Sequence, residues 1–274
     1  MIEYLVLASG IFFLAFLIPW RGRRYAAILG WAAMVLFLIA EIPYYVSQNN
    51  ILYPTLALLA LPFLFMTSQR LLREDKNILA LSRASAVAFL IYAPFAYLPA
   101  LGDFLIGVVA GQVLSLVNAF AGGATFLAWN LIGRDGFRIE IILACTGIQS
   151  MAIMLGVAGA VRTTPFQKVA AFLLVVPTIY ILNLARNVFV IIAYTDQWFP
   201  YLPQIASNGE WGYESFFWAH NIMAEGGALV ALIAIAYGLF VLIPELGIWA
   251  GNLYSIYARD TADLIRRVRS VVRV

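Results

Sequence analysis

Long apolar segments recur along the whole chain and are separated by short polar ones. Seven of them approach or exceed the roughly 20 residues that a helix needs to cross the hydrocarbon core of a bilayer. They cover approximately 2–20, 25–46, 50–67, 78–99, 144–161, 167–195 and 217–243. A further run, 104–120, fits either another span or a helix lying on the membrane surface. The pattern predicts an all-α polytopic membrane protein with about seven transmembrane helices, or eight.

The lysines and arginines predict the orientation of these spans. Basic residues follow the first span, separate the third from the fourth, bracket the turn at 162–168 and crowd the C-terminus. The loops 42–50 and 196–216 contain none. Because basic loops tend to stay in the cytoplasm, we expect the N-terminus outside and the C-terminus inside.

Seven spans satisfy this alternation only if the run 104–120 does not cross the membrane. Gln112, Ser115 and Asn118 lie three residues apart within it, and such a polar stripe is typical of an interfacial helix. We therefore predict that the region 101–143 lies on the outer surface.

A short β-hairpin is predicted directly before the fifth span. Two runs rich in β-forming residues, 124–132 and 137–143, are joined at 133–136, where Asp135 and Gly136 form a strong hairpin signal. The chain is expected to be a single transmembrane domain. In it, 1–100 would hold four spans, 101–143 the outer helix and hairpin, 144–243 the catalytic spans, and 244–274 a basic amphipathic cytoplasmic helix.

The composition supports membrane insertion and narrows the chemistry. Hydrophobic residues make up 64% of the chain and charged residues 11%, against roughly 45–50% and about 25% in soluble domains. The first apolar segment lacks a small-residue cleavage site, so we expect it to be retained. With one cysteine and one histidine, on separate segments, no disulfide, metal site or cofactor is expected. We also expect no nucleic-acid partner.

The single cysteine, Cys145, lies at the predicted outer end of the fifth span. A helix N-terminus there would lower the pKa of the thiol and favour the nucleophilic thiolate. The alternative is a small buried residue at the start of a helix.

Arg186 lies between apolar residues, about ten residues before the outer end of the sixth span. An arginine facing lipid at that depth costs at least roughly 2.5–3.5 kcal/mol. It therefore faces a polar cavity or a partner. A structural pair with Glu225 or Asp103, or snorkelling toward the outer headgroups, is the alternative to a functional role.

The single histidine, His220, lies among aromatic residues at the outer start of the seventh span. It is either a catalytic base or an interfacial hydrogen-bonding residue. The predicted topology places Cys145, Arg186 and His220 in the same half of the membrane on different helices, which favours one shared site.

Three motifs carry a resemblance to a known family. They are Ala-Cys-Thr-Gly-Ile-Gln-Ser at 144–150, Leu-Ala-Arg-Asn at 184–187 and Ala-His-Asn at 219–221. They resemble the signature sites of the exosortase/archaeosortase transpeptidases, and the first motif is most similar to the archaeosortase A type. The resemblance implies a polytopic membrane enzyme that processes exported surface proteins, of the S-layer type, at a C-terminal sorting signal. That signal combines a Pro-Gly-Phe-type motif, an apolar helix and a basic tail.

The resemblance also implies roles for the residues. Cys145 would be the nucleophile that forms a thioester, Arg186 would stabilise the thiolate or the oxyanion, and His220 would be the base or assist it. The amine headgroup of a membrane phospholipid would be the acceptor, near the outer face of the cell membrane. Gln149, Asn187 and Asn221 would be nearby donors, although such amides also serve as packing contacts. Glu225 would orient His220 or pair with Arg186.

Two other functions remain open from the sequence. A membrane cysteine protease would use the same residues but transfer the acyl group to water. A small-solute transporter would bind an anion at Arg186 and relay protons through His220. The chain contains no evident inverted repeat of the kind many transporters have.

Overall fold

The structure is a computed structural model that describes residues 3–47, 52–207 and 209–272. Residue 2 of the first predicted span, residues 50 and 51 of the third, and the last two residues of the basic C-terminal segment lie outside the described residues.

The chain is mostly helical, with one small sheet. The α-helices are α1 Glu3–Leu17, α2 Arg23–Ala40, α3 Ile42–Ser47, α4 Leu52–Leu72, α5 Lys76–Tyr97, α6 Pro99–Phe120, α7 Ile148–Ala158, α8 Pro165–Thr195, α9 Pro203–Ala206, α10 Tyr213–Phe216, α11 Glu225–Leu242 and α12 Pro244–Val272. The strands are β1 Thr125–Ala128, β2 Leu131–Arg134 and β3 Phe137–Glu140. A 3₁₀ turn covers Leu143–Thr146, and a π-helix, Phe217–Ala224, joins α10 to α11.

Within the described residues, six helical segments are long and apolar enough to cross a membrane. They are Arg23–Val46, Tyr53–Leu72, Lys76–Tyr97, Pro99–Phe120, Pro165–Thr195 and Tyr213–Leu242. The prediction of an all-α polytopic membrane protein is confirmed. Two of the predicted spans are shorter apolar helices: α1, with 15 residues, and α7, with 11.

The predicted fifth span, a continuous helix over 144–161, was wrong. The chain forms a 3₁₀ turn that contains Cys145, and Gly147 then adopts a left-handed conformation with φ of 80°. Glycine reaches that region without steric cost, and it separates the turn from α7. Cys145 therefore precedes the short helix instead of opening a long one.

The hairpin prediction is confirmed in its second half. β2 and β3 are antiparallel, Arg134 pairs with Phe137, and the connecting Asp135 and Gly136 have φ of 52° and 85°. Positive φ at both central residues is the type I′ geometry that Asp-Gly favours. The predicted first strand, 124–132, was wrong as one element, because a turn at 129–130 divides it into β1 and β2.

The chain forms two compact units. The first contains Met1–Leu90, Leu155–Thr164 and Ile243–Val274, and the second contains Ile91–Met154 and Pro165–Leu242. The chain re-enters the first unit close to the predicted boundary at 244. The expectation of a single domain stays a prediction.

In the first unit, aromatic rings join three helices. Trp31 contacts Phe13 and Phe63 edge-on, at ring-centroid distances of 5.1 and 5.3 Å, and its Nε1–H donates to Ser82 Oγ at 3.0 Å. The predicted C-terminal amphipathic helix is α12. Much of its apolar face packs on protein, since Trp249 is buried and Tyr257 stacks on Phe63.

In the second unit, α6 and the sheet pack against α8 around Val113, Val117, Ile132 and Ile191. The polar side chains of the predicted α6 stripe are exposed, and each has a hydrogen-bond partner within the chain. Gln112 accepts a hydrogen bond from Tyr180, Ser115 donates to the carbonyl of Gly111, and Asn118 exchanges two hydrogen bonds with the backbone of Ala124. These hydrogen bonds do not test whether the stripe faces the membrane surface. Whether α6 crosses the membrane stays a prediction.

Candidate active site

The backbone of Cys145 is held against α8 by two amide side chains. Its carbonyl oxygen accepts hydrogen bonds from Nδ2 of Asn183 at 2.6 Å and from Nδ2 of Asn187 at 2.7 Å. The turn itself closes through the Cys145 N–H, which donates to the carbonyl of Ile142 at 2.8 Å. The thiol-bearing residue is half-buried and fixed to the helix that carries Arg186.

Asn183 was missed by sequence reasoning. It lies four residues before Asn187, so the two amides share one face of α8. That spacing was the only signal in the sequence, and it does not reveal a partner. The partner is a backbone carbonyl 38 residues away in the chain.

Arg186 and His220 are hydrogen-bonded to each other. Arg186 Nη2 lies 3.0 Å from His220 Nε2, and His220 Nδ1 lies 2.7 Å from Asn221 Oδ1. A guanidinium only donates, so Nε2 is the acceptor and Nδ1 carries the proton that Asn221 accepts. The geometry therefore assigns a neutral histidine with its proton on Nδ1.

Neither the ion pair predicted as an alternative for Arg186 nor the orienting role predicted for Glu225 occurs among the described residues. Arg186 forms no ion pair there with Glu225 or Asp103. Glu225 is exposed and does not orient the histidine ring, a role taken by Asn221. Arg186 is half-buried, and its side chain lines two cavities, one with Cys145 and one with Glu225.

His220 is positioned by an unusual helix and an aromatic neighbour. It lies in the π-helix, a wider helical form that is found mostly in short stretches and often at functional sites. Its ring stacks on Phe216 with the centroids 4.8 Å apart and an interplanar angle of 13°. The stack and the hydrogen bond to Asn221 together fix the ring plane.

Cys145, Arg186 and His220 line one cavity of about 220 Å³. Asn187 borders it too, and so do further polar residues that the sequence did not single out as site residues: Arg138, Glu140, Tyr194, Glu210 and Tyr213. Arg138 and Glu140 are the exposed residues of β3. No feature of the sequence indicates that this face of the strand borders the cysteine. Across the described part of the chain, no three His, Cys, Asp or Glu side chains gather so as to hold a metal ion.

The other predicted site residues lie beside a neighbouring cavity of about 290 Å³. Gln149 and Glu225 line it, together with Arg186 and Asn183. Gln149 donates a hydrogen bond to the Tyr92 hydroxyl at 3.3 Å. Of the predicted supporting residues, Asn187 and Asn221 therefore contact the cysteine turn and the histidine, whereas Gln149 and Glu225 do not.

A larger apolar groove of about 430 Å³ runs along α8 and α11. Small residues of α11 line one wall, at Gly227, Ala228 and Ala231, and Arg186 lies at its edge. Arg186 thus borders the cavity of Cys145, the neighbouring cavity and the groove.

Comparison with known proteins gives a consistent set of relatives. The family model described as transmembrane exosortase matches residues 3–203, which include Cys145 and Arg186 but not His220. Archaeosortase A of Natronomonas pharaonis is 28% identical over 257 residues, 87% of this chain and 82% of the relative. Archaeosortase A of Haloferax volcanii is 28% identical over 268 residues, 89% of this chain and 88% of the relative. No solved structure shows a significant match.

Proposed function

The chain belongs to the transmembrane exosortase family, and on that basis we propose that it is a membrane enzyme that processes C-terminal sorting signals, with Cys145 as its nucleophile. The relatives named Archaeosortase A support this class of reaction. The observation that carries the proposal is the cavity that Cys145 shares with Arg186 and His220. A thiol, a basic nitrogen and a permanent positive charge are the groups that acyl transfer through a thioester needs.

In the first step, His220 Nε2 takes the proton of the Cys145 thiol, and the thiolate attacks the carbonyl carbon of the scissile peptide. The C–S bond forms as the carbonyl π electrons move onto oxygen. Collapse of this tetrahedral oxyanion breaks the C–N bond, and the departing nitrogen takes the proton from His220. The product is a Cys145 thioester, and His220 is again neutral.

Arg186 changes partner during this step. It donates to His220 Nε2 at rest. Because Nε2 has one lone pair, Arg186 has to release it before Nε2 takes the thiol proton, and the two positive groups then repel each other. The guanidinium is then free to donate to the developing oxyanion, where a fixed multi-donor cation is most effective.

In the second step, an amine of a membrane phospholipid attacks the thioester carbon while His220 Nε2 takes one proton of the nitrogen. The C–S bond breaks, and the Cys145 thiolate that leaves takes this proton from His220. The new amide links the processed protein to the lipid. Both the lipid and the apolar helix of the substrate are confined to the bilayer, so an intramembrane site brings them together. Water has to be partly excluded, because otherwise hydrolysis competes.

The apolar groove along α8 and α11 is our proposed position for the apolar helix of the sorting signal. Its small residues, Gly227, Ala228 and Ala231, let another backbone approach closely, as membrane helix pairs require. The Pro-Gly-Phe-type motif would then lie near Arg186, and the basic tail would point to the cytoplasm. In this arrangement the active site would lie toward the outer face, with the N-terminus outside, in keeping with the distribution of basic loops.

The test uses purified protein in lipid vesicles with a peptide that carries the complete sorting signal. Intact mass spectrometry follows the product of the wild type, of Cys145→Ala and of Arg186→Ala, with the exposed Arg162→Ala as the matched control. We expect a product with added lipid mass from the wild type and from Arg162→Ala only. Cleavage without lipid would indicate a protease. A Cys145→Ala variant with full activity, or transport of an anionic solute that Arg186→Ala abolishes, would contradict the proposal.

A further inference from the structure

The cavity of Cys145 contains two oppositely charged side chains that the proposed steps do not use. Arg138 projects from β3, and Glu210 lies in the loop between α9 and α10. Both are exposed. Neither forms an ion pair within the described residues, although both line the same small cavity.

Two other charged residues of the cavity, Glu140 and Arg186, already have hydrogen-bond partners. Glu140 accepts a hydrogen bond from Asn130 Nδ2 at 3.1 Å, and Arg186 is engaged with His220. Glu210 lies close enough to Tyr194 and Tyr213 to interact with them electrostatically, and both tyrosines line the cavity. Within the described residues, Arg138 and Glu210 thus have no ion-pair partner, and both line the cavity that contains Cys145.

We expect both residues to lie at the depth of the membrane surface. Neither lies in a segment apolar enough to span, and Glu210 comes three residues before the span that begins at Tyr213. The sheet that carries Arg138 is tied to the end of α8, because Phe137 packs on Tyr194 with the ring centroids 4.7 Å apart. Arg186 lies nine residues before that end, about 14 Å along the helix at roughly 1.5 Å per residue. The cavity is therefore expected to lead from headgroup level down to the reacting residues.

We infer that Arg138 and Glu210 form the binding site for a zwitterionic phosphoethanolamine-type headgroup, the acceptor of the proposed second step. Arg138 binds the phosphate, since its planar fork of donors matches phosphate oxygens. Glu210 binds the ammonium group. The inference rests on the proposed function and deepens it, because it explains how an amine that is attached to a phosphate is chosen over water.

In the proposed transfer step, the ammonium group gives one proton to the Glu210 carboxylate and becomes a neutral amine. Its lone pair attacks the thioester carbon, and the C–S electron pair returns to sulfur. The second proton of the nitrogen passes to His220 Nε2 and from there to the thiolate. The products are the lipid amide, the free thiol and protonated Glu210, which releases its proton to water.

The test compares acceptors of the same amine with and without phosphate. In phosphatidylcholine vesicles, which contain no primary amine, soluble glycerophosphoethanolamine or ethanolamine is added with the signal peptide. Transfer and hydrolysis products are separated by mass. For the wild type we expect the rate of transfer to glycerophosphoethanolamine to exceed that to ethanolamine by about tenfold or more. Ethanolamine has no phosphate, so it lacks one hydrogen bond to a charged group, and such a loss has about this effect. In Arg138→Gln the two acceptors should become nearly equal, whereas Arg138→Lys should keep part of the preference.

Glu210→Gln should lower transfer to both amines and raise the share of hydrolysis, while Cys145-dependent cleavage of the peptide continues. Glu214→Gln, a neighbouring carboxylate outside the cavity, is the matched control and should behave as wild type.

Vesicles containing phosphatidylethanolamine separate the two sources of the headgroup. Preferred use of the lipid identifies a membrane acceptor, and equal use of the soluble form shows that the headgroup alone is recognised; both support the site.

Three results would overturn the inference. One is an unchanged preference for the phosphorylated amine in Arg138→Gln. Another is a loss of peptide cleavage in that variant but not in Arg138→Lys, with the ratio of transfer to hydrolysis unchanged, since Arg138 would then bind the peptide. The third is transfer by Glu210→Gln at the wild-type rate. Absence of any Cys145-dependent cleavage in the wild type is a different failure, because it removes the proposed function itself.

Discussion

Arg186 donates a hydrogen bond from Nη2 to Nε2 of His220 over 3.0 Å, and this contact joins α8 to the π-helix. The same histidine is fixed at Nδ1 by Asn221. The proposed base and the guanidinium are thus hydrogen-bonded to each other at rest, and the lone pair of Nε2 is occupied. The proposed first step requires the two groups to separate, so Arg186 would be more than a fixed positive charge.

Arg186→Lys should therefore be strongly impaired although the charge is kept. A lysine ammonium is a compact point charge without the planar fork of arginine, so it cannot serve His220 and an oxyanion with the same geometry. We expect the rate of peptide cleavage to fall by roughly 10²–10³, as for the loss of an oxyanion donor. Single-turnover cleavage with saturating peptide measures it. The exposed Arg162→Lys should be unaffected, and a lysine variant that retains full activity would mean that charge alone suffices.

The two amides that hold Cys145 predict a different kinetic signature. Asn187→Leu removes one donor to the Cys145 carbonyl, and Asn183→Leu with Asn187→Leu removes both. Because both Nδ2 groups already donate to the Cys145 carbonyl and so position the thiol, kcat should fall and KM should change little, with a loss of about tenfold for the single variant and more for the double. The exposed Asn252→Leu is the control. A higher KM at constant kcat would instead assign Asn187 to substrate binding.

Gly147 should tolerate no side chain. Its φ of 80° is strained for an L-residue, and an added Cβ would lie 3.3 Å from the Cβ of Asn183. Gly147→Ala is expected to lower the free energy of unfolding by roughly 1–3 kcal/mol and to reduce cleavage by moving the cysteine turn. Thermal unfolding in detergent, together with the cleavage rate, measures both effects. Gly111→Ala, where the new methyl group meets nothing within 4 Å, is the matched control. An unchanged melting temperature for Gly147→Ala would mean that the turn adapts.

The sequence predicted Cys145, Arg186, Asn187 and His220 among the residues that line the cavity. Arg186 and His220 were visible because a charged or ionisable side chain in an apolar segment is costly, and Cys145 was visible because it is the one cysteine of the sequence. The turn formed by Asp135 and Gly136 was equally visible, because few residues adopt positive φ.

Other features carry no local signal. The run 144–161 is apolar throughout, and its periodicity does not reveal that Gly147 takes a left-handed conformation and shortens α7 to 11 residues. The spacing of the polar stripe of α6 does not reveal its hydrogen-bond partners either, which are Tyr180 and two backbone segments. Asn183 resembles any amide on a membrane helix until its distant partner is known. Long-range hydrogen bonds decide these cases, and one sequence does not contain them.

The attachment of α12 predicts a pH dependence away from the active site. Asp260 receives two hydrogen bonds from Arg70, at 2.9 and 2.5 Å, and Thr67 pairs with the Tyr257 hydroxyl at 2.8 Å. The hydrogen bond from Arg70 lowers the pKa of Asp260 below its usual value, against the opposing effect of burial. The folded state therefore favours the ionised carboxylate. Its contribution to stability is fully present above the ordinary aspartate pKa of about 3.9 and is lost as the pH falls through the lowered value.

Hydrogen exchange of α12, measured from pH 7 down to pH 3 and corrected for the intrinsic exchange rate, should show protection that declines at the acidic end. In Asp260→Asn, protection should be weaker at pH 7 and nearly independent of pH, because the neutral amide keeps little of the interaction with Arg70. Asp263→Asn is the matched control. Its carboxylate is exposed and pairs on the surface with Arg266, an arrangement that usually adds little stability. Protection of α12 that declines identically in wild type and Asp260→Asn would place the responsible group elsewhere.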